Sequence, residues 1–135
     1  MGKNIFNLNK DVNFRDNIIF GENYSPDKYL GGIRHFERLS LKNLELLIDN
    51  KFIELNECQN NSPTTEEILE FMKKYPKYTA HGYAVSLDRE DYRITLEGVE
   101  KNTSAESKDE LEDFTKLFRL ADDFIIDNYM YCWFD

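Results

Sequence analysis

Leu41, Leu44, Leu47 and Ile48 recur at the spacing that lines one side of an α-helix. Ser40 stands where an N-cap belongs, with Leu39 and Leu44 at hydrophobic-staple positions, so the pattern predicts a helix over 40–50. Asn50 is placed to stop it in a left-handed conformation, after which Phe52 and Ile53 fold back onto the apolar face. Ile68, Phe71, Met72 and Tyr75 repeat the helical period over 64–75. Thr64 and Glu67 form a capping box there, and Pro76 ends the helix. A third stripe, Leu111, Phe114, Leu117, Phe118 and Ala121, follows the capping pair Ser107 and Glu110 and predicts a helix over 107–121.

Between the second and third helices the period changes to two. Tyr92, Ile94 and Leu96 alternate with Arg93, Thr95 and Glu97; upstream, His81, Tyr83, Val85 and Leu87 alternate with Ala80, Gly82, Ala84 and Ser86. The charged link 88–91 joins the two as an antiparallel hairpin over 79–97. The stretch YMYCWFD (129–135) puts Tyr129, Tyr131 and Trp133 on one side of a strand and Met130, Cys132 and Phe134 on the other. A strand apolar on both faces is buried on both, or has one face covered by a partner. It is expected inside the sheet, beside the hairpin, with Asp127-Asn128 as a two-residue turn from the preceding FII. The first forty residues read less clearly. NIFNL and NIIF look like short strands, and SPDKYLGG like a short helix broken at Gly31 and Gly32. The expected fold is α+β: a single compact domain over 1–135, with an antiparallel or mixed sheet (the 79–97 hairpin plus the C-terminal strand) packed against about three helices.

Composition agrees with a folded chain. The 135 residues are 41% hydrophobic and 14% aromatic, about one domain's worth of core. Neither a secretory h-region nor a membrane-length apolar run is present, so the expectation is a cytoplasmic protein with Cys58 and Cys132 as free thiols and no membrane partner. The net charge of −9 is unevenly spread: +1 over 1–51, −4 over 52–103 and −6 over 104–135. Phosphate backbones are bound by clustered Lys and Arg, and the only cluster is KKYPK at 73–77, which disfavours nucleic acid.

Candidate chemistry is sparse. His35, Cys58, His81 and Cys132 lie 23, 23 and 51 residues apart, without the close pairs of a structural zinc site. No phosphate loop, dinucleotide fingerprint, HExxH or GxSxG is present, so no metal and no cofactor is expected. His81, flanked by Ala80 and Gly82, is the one candidate acid or base, and Cys132 on a neighbouring strand its candidate partner. The hairpin tip gathers Asp88, Arg89, Asp91 and Arg93, either an interaction loop or a solvated turn. Asp122 and Asp123 sit close in sequence to Tyr129, Tyr131 and Trp133, an acidic and aromatic combination suited to a basic protein partner.

Two helices followed by a β-hairpin, over roughly 40–97, resemble winged-helix domains. That resemblance implies a basic recognition helix on DNA. The candidate helix carries Glu66, Glu67 and Glu70 against Lys73 and Lys74. Three functions are thus expected to compete. The first is a small acidic protein-interaction module (adaptor, inhibitor or immunity-type protein) without catalytic activity; the second a small enzyme using His81; the third a winged-helix-like DNA-binding regulator reading through Lys73, Lys74, Lys77, Arg89 and Arg93. A homodimer would also cover the second face of the last strand.

Overall fold

In the computed structural model, which describes residues 6–135, the chain runs through α1 (Val12–Phe20), β1 (Ile33–Leu39), α2 (Leu41–Asp49), α3 (Thr65–Lys74), β2 (Thr79–Val85), β3 (Ile94–Lys101), α4 (Lys108–Phe118), β4 (Asp123–Ile126) and β5 (Met130–Trp133). The helix starts follow side-chain caps. Ser40 accepts from the Asn43 N–H and Ser107 from the Glu110 N–H, and Thr64 and Glu67 close the reciprocal capping box. No helix among the described residues is long and apolar enough to cross a membrane.

One antiparallel sheet holds all five strands in the order β1-β2-β3-β5-β4. The fold is α+β, with the helices contributing to one core. Leu44 and Leu47 of α2, Ile68 and Met72 of α3, and Phe114 and Phe118 of α4 pack on Phe36, Ala80, Ala84, Leu96, Val99, Met130 and Cys132 of the sheet. The aromatic surplus converges where α3, α4 and β5 meet: Phe71 lies 4.8–6.2 Å from the rings of Tyr78, Phe114 and Phe118, and Phe134 reaches Phe118. β5 is an interior strand between β3 and β4. Its Met130 and Cys132, with Phe134 just beyond, are fully buried; Tyr131 and Trp133, on the opposite face, are half-buried.

Several local expectations are corrected. NIIF is the second half of α1, not a strand. Asp11 caps that helix through the Phe14 N–H, and Gly21, left-handed at φ 72°, closes it. Three successive apolar residues have no period; the caps decide. Of NIFNL, residues 4 and 5 lie outside the described residues and 6–8 carry no regular structure. SPDKYLGG makes a single 3-10 turn, Pro26–Lys28. The segment after it is a strand with Phe36 and Leu39 facing the core, three residues apart, because a bulge between them puts Arg38 at φ 59°. Asn50 is not left-handed; Lys51 is, at φ 64°. The last helix stops at Phe118, and the β4–β5 turn takes three residues, 127–129, closed by the Asp127 N–H to the Tyr129 carbonyl. The β2–β3 hairpin does not project as a wing: β1 and β5 flank it on either side.

Two buried ionic networks escaped pattern reading. Arg15 and Asp16 are both fully buried and paired at 2.9 Å. Arg15 also donates to the Val85 carbonyl (2.9 Å) and to the Tyr29 hydroxyl (2.8 Å), which in turn donates to Asp16 (2.6 Å). This ties α1 and the 3-10 turn to the end of β2. On the other side, Lys101 pairs with Glu110 at 2.6 Å, and the Tyr78 hydroxyl donates to the same oxygen at 2.7 Å. Burial raises the Glu110 carboxyl, but the Glu106 N–H, Lys101 and Tyr78 outweigh it and leave it below the usual range. Removing one member of a buried pair leaves the other uncompensated. Arg15→Ala should therefore cost about 3–5 kcal/mol by urea unfolding, and Tyr29→Phe only about 1–2 kcal/mol.

Candidate functional site

The sheet face away from the core is built by β-bulge geometry. Tyr83 pairs with Thr95 and His81 with Gly98, so β3 has one residue more than β2 across this step. The extra residue puts Glu97 and Gly98 both on the outer face and returns Val99 to the core, three positions after Leu96. Gly98 is required by close approach: a Cβ there would lie 2.0 Å from the Cys132 carbonyl oxygen and 2.8 Å from Nε2 of His81. Through that gap the His81 ring spans three strands. Its Nε2 donates to the Cys132 carbonyl of β5 at 2.9 Å, and Nδ1 meets Oε1 of Glu100 at 2.7 Å. Tyr131 stacks on the ring, 5.1 Å away at 13°.

Beside His81, the face carries His35 and Tyr83 (ring centroids 6.0 Å apart), Glu97, Glu100, Tyr131 and Trp133. All of these except Tyr83 line a recess of about 200 Å³ to which β1, β2, β3 and β5 contribute and no helix does. Glu97 is its most buried acid, only 7% exposed, and its nearest basic group is Nδ1 of His35, at 3.9 Å. Burial pushes the Glu97 carboxyl above the usual carboxylate range, with His35, His81 and Trp133 opposing it only in part.

The candidates read from sequence fall into two groups. Tyr131, Trp133 and Asp123 come together on the outer face, Asp123 directly opposite Trp133 across β4–β5. Asp122 lies at the start of β4, where it accepts from the Asp135 N–H, and Tyr129 in the adjoining turn is 42% exposed. The hairpin tip is a separate network, tied to the loop before β1 by Arg89, which donates to the Gly31 carbonyl at 2.9 Å. Arg89 clasps Asp91 through two bonds of 2.8 Å, Arg93 reaches Asp91 at 3.0 Å, and Ser86 bonds Asp88. Arg93 alone connects the tip to the face, through the Tyr83 hydroxyl at 2.8 Å. His81 does not meet the Cys132 thiol. That sulfur points into the core toward the Val99 carbonyl, and burial pushes its pKa up to about 12. The face residues missed by sequence reading are His35, Glu97, Glu100 and Tyr83; Gly98 inside a strand was the available sign of a bulge beside Glu97.

Each cation of the expected DNA-reading stripe has an acid beside it: Lys73 with Glu70, Lys74 with Asp113, Lys77 with Glu106, and Arg89 and Arg93 with Asp91. Among the described residues no group of three or more His, Cys, Asp or Glu is arranged to hold a metal ion. A larger cavity of about 560 Å³ lies between α3 and α4 over Phe71, Tyr75 and Leu117; its lining mixes Glu67, Glu70 and Asp113 with Lys74, Lys116 and Arg119, and Lys74 pairs with Asp113 at 2.8 Å. Comparison with known proteins adds no analogy: no protein-family model, no curated protein and no solved structure matches this chain.

Two outcomes follow from this geometry. Gly98→Ala should cost about 3 kcal/mol or more in urea unfolding, because backbone rather than a flexible side chain blocks the new methyl. Glu97 binds a proton more readily folded than unfolded, so its contribution is favourable below the unfolded value of about 4.3 and is lost as pH rises through the folded value. Glu97→Gln should therefore melt at a higher temperature than the parent at pH 7, with the two curves converging below pH ~4.

Proposed function

We propose that the chain is a protein-interaction module, of the adaptor, inhibitor or immunity kind, that captures a basic partner on the outer face of its sheet. The observation that carries this reading is the face itself. Half-buried Trp133 and Tyr131 stand over a desolvated carboxylate, Glu97, beside Glu100 and Asp123, in a chain of net charge −9. Aromatic side chains supply anchoring area at low entropic cost, and surrounding acids steer a basic surface into place. The chemistry of His81 supports binding over catalysis. Both ring nitrogens are already bonded, and Tyr131 covers one side of the ring. The pairing of Lys73, Lys74, Lys77, Arg89 and Arg93 with acids likewise favours a protein over a phosphate backbone. Acids at both ends of the edge strand β4, Asp122, Asp123 and Asp127, oppose pairing with a second copy, which favours a heterologous partner.

Affinity capture with the parent chain should retain a basic protein whose binding weakens as salt rises. Trp133→Ala should cost that complex about 2 kcal/mol or more, roughly thirtyfold in Kd. Asp123→Lys, an exposed charge reversal that leaves the core untouched, should slow association. Equal capture by both variants, with unchanged melting curves, would refute the assignment of this face.

A further inference from the structure

The recess on the outer face has a specific composition. Its floor carries a carboxylate that is nine-tenths buried, aimed into the recess and without a lysine or arginine among the residues that line it. Its walls are the rings of His35, Tyr131 and Trp133. Its volume, about 200 Å³, is below the ~300 Å³ at which pockets for whole small-molecule ligands begin. One long side chain fits this space; a nucleotide or a cofactor does not.

A buried carboxylate whose nearest basic group is an imidazole nitrogen 3.9 Å away, on His35, is only partly compensated, and the neighbouring acids compound the cost. Glu100 lines the same recess, although its Oε1 is engaged by His81. A cation brought from outside would relieve that charge, and a planar one would also stack on the indole and phenol rings. A guanidinium meets both demands: it donates in a fork to a carboxylate and lies flat on aromatic faces, whereas an ammonium is a strongly hydrated point charge. Resting on the interaction reading above, we propose that this recess is an anchor pocket for one arginine side chain of the partner, with Glu97 as its counter-charge and Trp133 and Tyr131 as its stacking walls.

The test uses the full chain and a defined probe. N-acetyl-arginine amide is titrated while the Trp133 indole N–H and the backbone N–H of Glu97 are followed by NMR. N-acetyl-citrulline amide serves as the neutral isostere and N-acetyl-lysine amide as the point-charge control. The expected result is a saturable shift with arginine, at least fivefold weaker binding with lysine and none with citrulline. Glu97→Gln, which keeps the shape of the side chain, should weaken arginine binding at least fivefold while the spectrum remains that of the folded protein. Identical behaviour of arginine and citrulline, or an unaltered arginine titration in Glu97→Gln, would overturn the pocket. The two readings fail separately. A captured basic partner that Trp133→Ala releases and Glu97→Gln does not would keep the interaction face and remove the arginine anchor. Saturable arginine binding without any captured partner would support the pocket and count against the wider assignment.

Discussion

One imidazole joins the three central strands. The pairing of β3 with β5 is short, Glu100 with Tyr131 and Lys101 with Met130, before the bulge at Glu97 and Gly98 interrupts it. Beyond the bulge the Phe134 N–H returns to the Glu97 carbonyl at 2.8 Å. In the gap between these bonds, His81 of β2 reaches over Gly98 to the Cys132 carbonyl. Gly98 is what makes the reach possible, since any side chain there would occupy the space of the carbonyl oxygen. The position of β5 depends on this bridge, and two things depend on β5: the burial of Met130, Cys132 and Phe134 beneath the helices, and the presentation of Tyr131 and Trp133 on the other side.

The same bulge creates the functional tension of the molecule. Regular alternation would have put Gly98 toward the core and Val99 outside. With one residue inserted, Glu97 stays on the outer face and comes to lie under Trp133, where water is largely excluded. A carboxylate held there raises the free energy of the isolated protein. Such a conflict between local stability and residue choice is typical of sites that meet another molecule. By contrast, the buried charges that serve the fold are matched: Arg15 with Asp16 and Tyr29, Lys101 with Glu110 and Tyr78. That contrast, rather than acidity alone, separates Glu97 from the other carboxylates of this acidic chain.

The regular elements were legible because their signals are local. A capping box at Thr64 and Glu67, a leucine stripe from Leu41 to Ile48 and the alternation from Tyr92 to Glu97 each mark an element and its apolar face from near neighbours alone. Where reading failed, the spacing was broken by a bulge or the period was absent. Phe36 and Leu39 are three apart on a strand because Arg38 takes a left-handed conformation between them, and NIIF has no period at all. The aromatic half of the site was visible as YMYCWFD. Of its acids Asp123 was singled out beside the aromatics, but Glu97 and Glu100 were not, since Glu97 looked like one more outward residue of an alternating strand.

What the amino-acid order determined by itself, then, is three of the four helices among the described residues, the hairpin, the faces of the last strand and the acidic charge balance. All of these rest on propensity, periodicity and charge, which act between near neighbours or sum over the chain. Tertiary structure decided which strands lie side by side, that His81 meets the Cys132 carbonyl rather than its thiol, and that Glu97 is buried with no lysine or arginine beside it. Those outcomes depend on groups 16 to 51 positions apart in the sequence meeting in space, as Glu97 meets His81 and Trp133 and as His81 meets Cys132. Burial and approach distance at such meetings are properties of packing, and no local pattern encodes them.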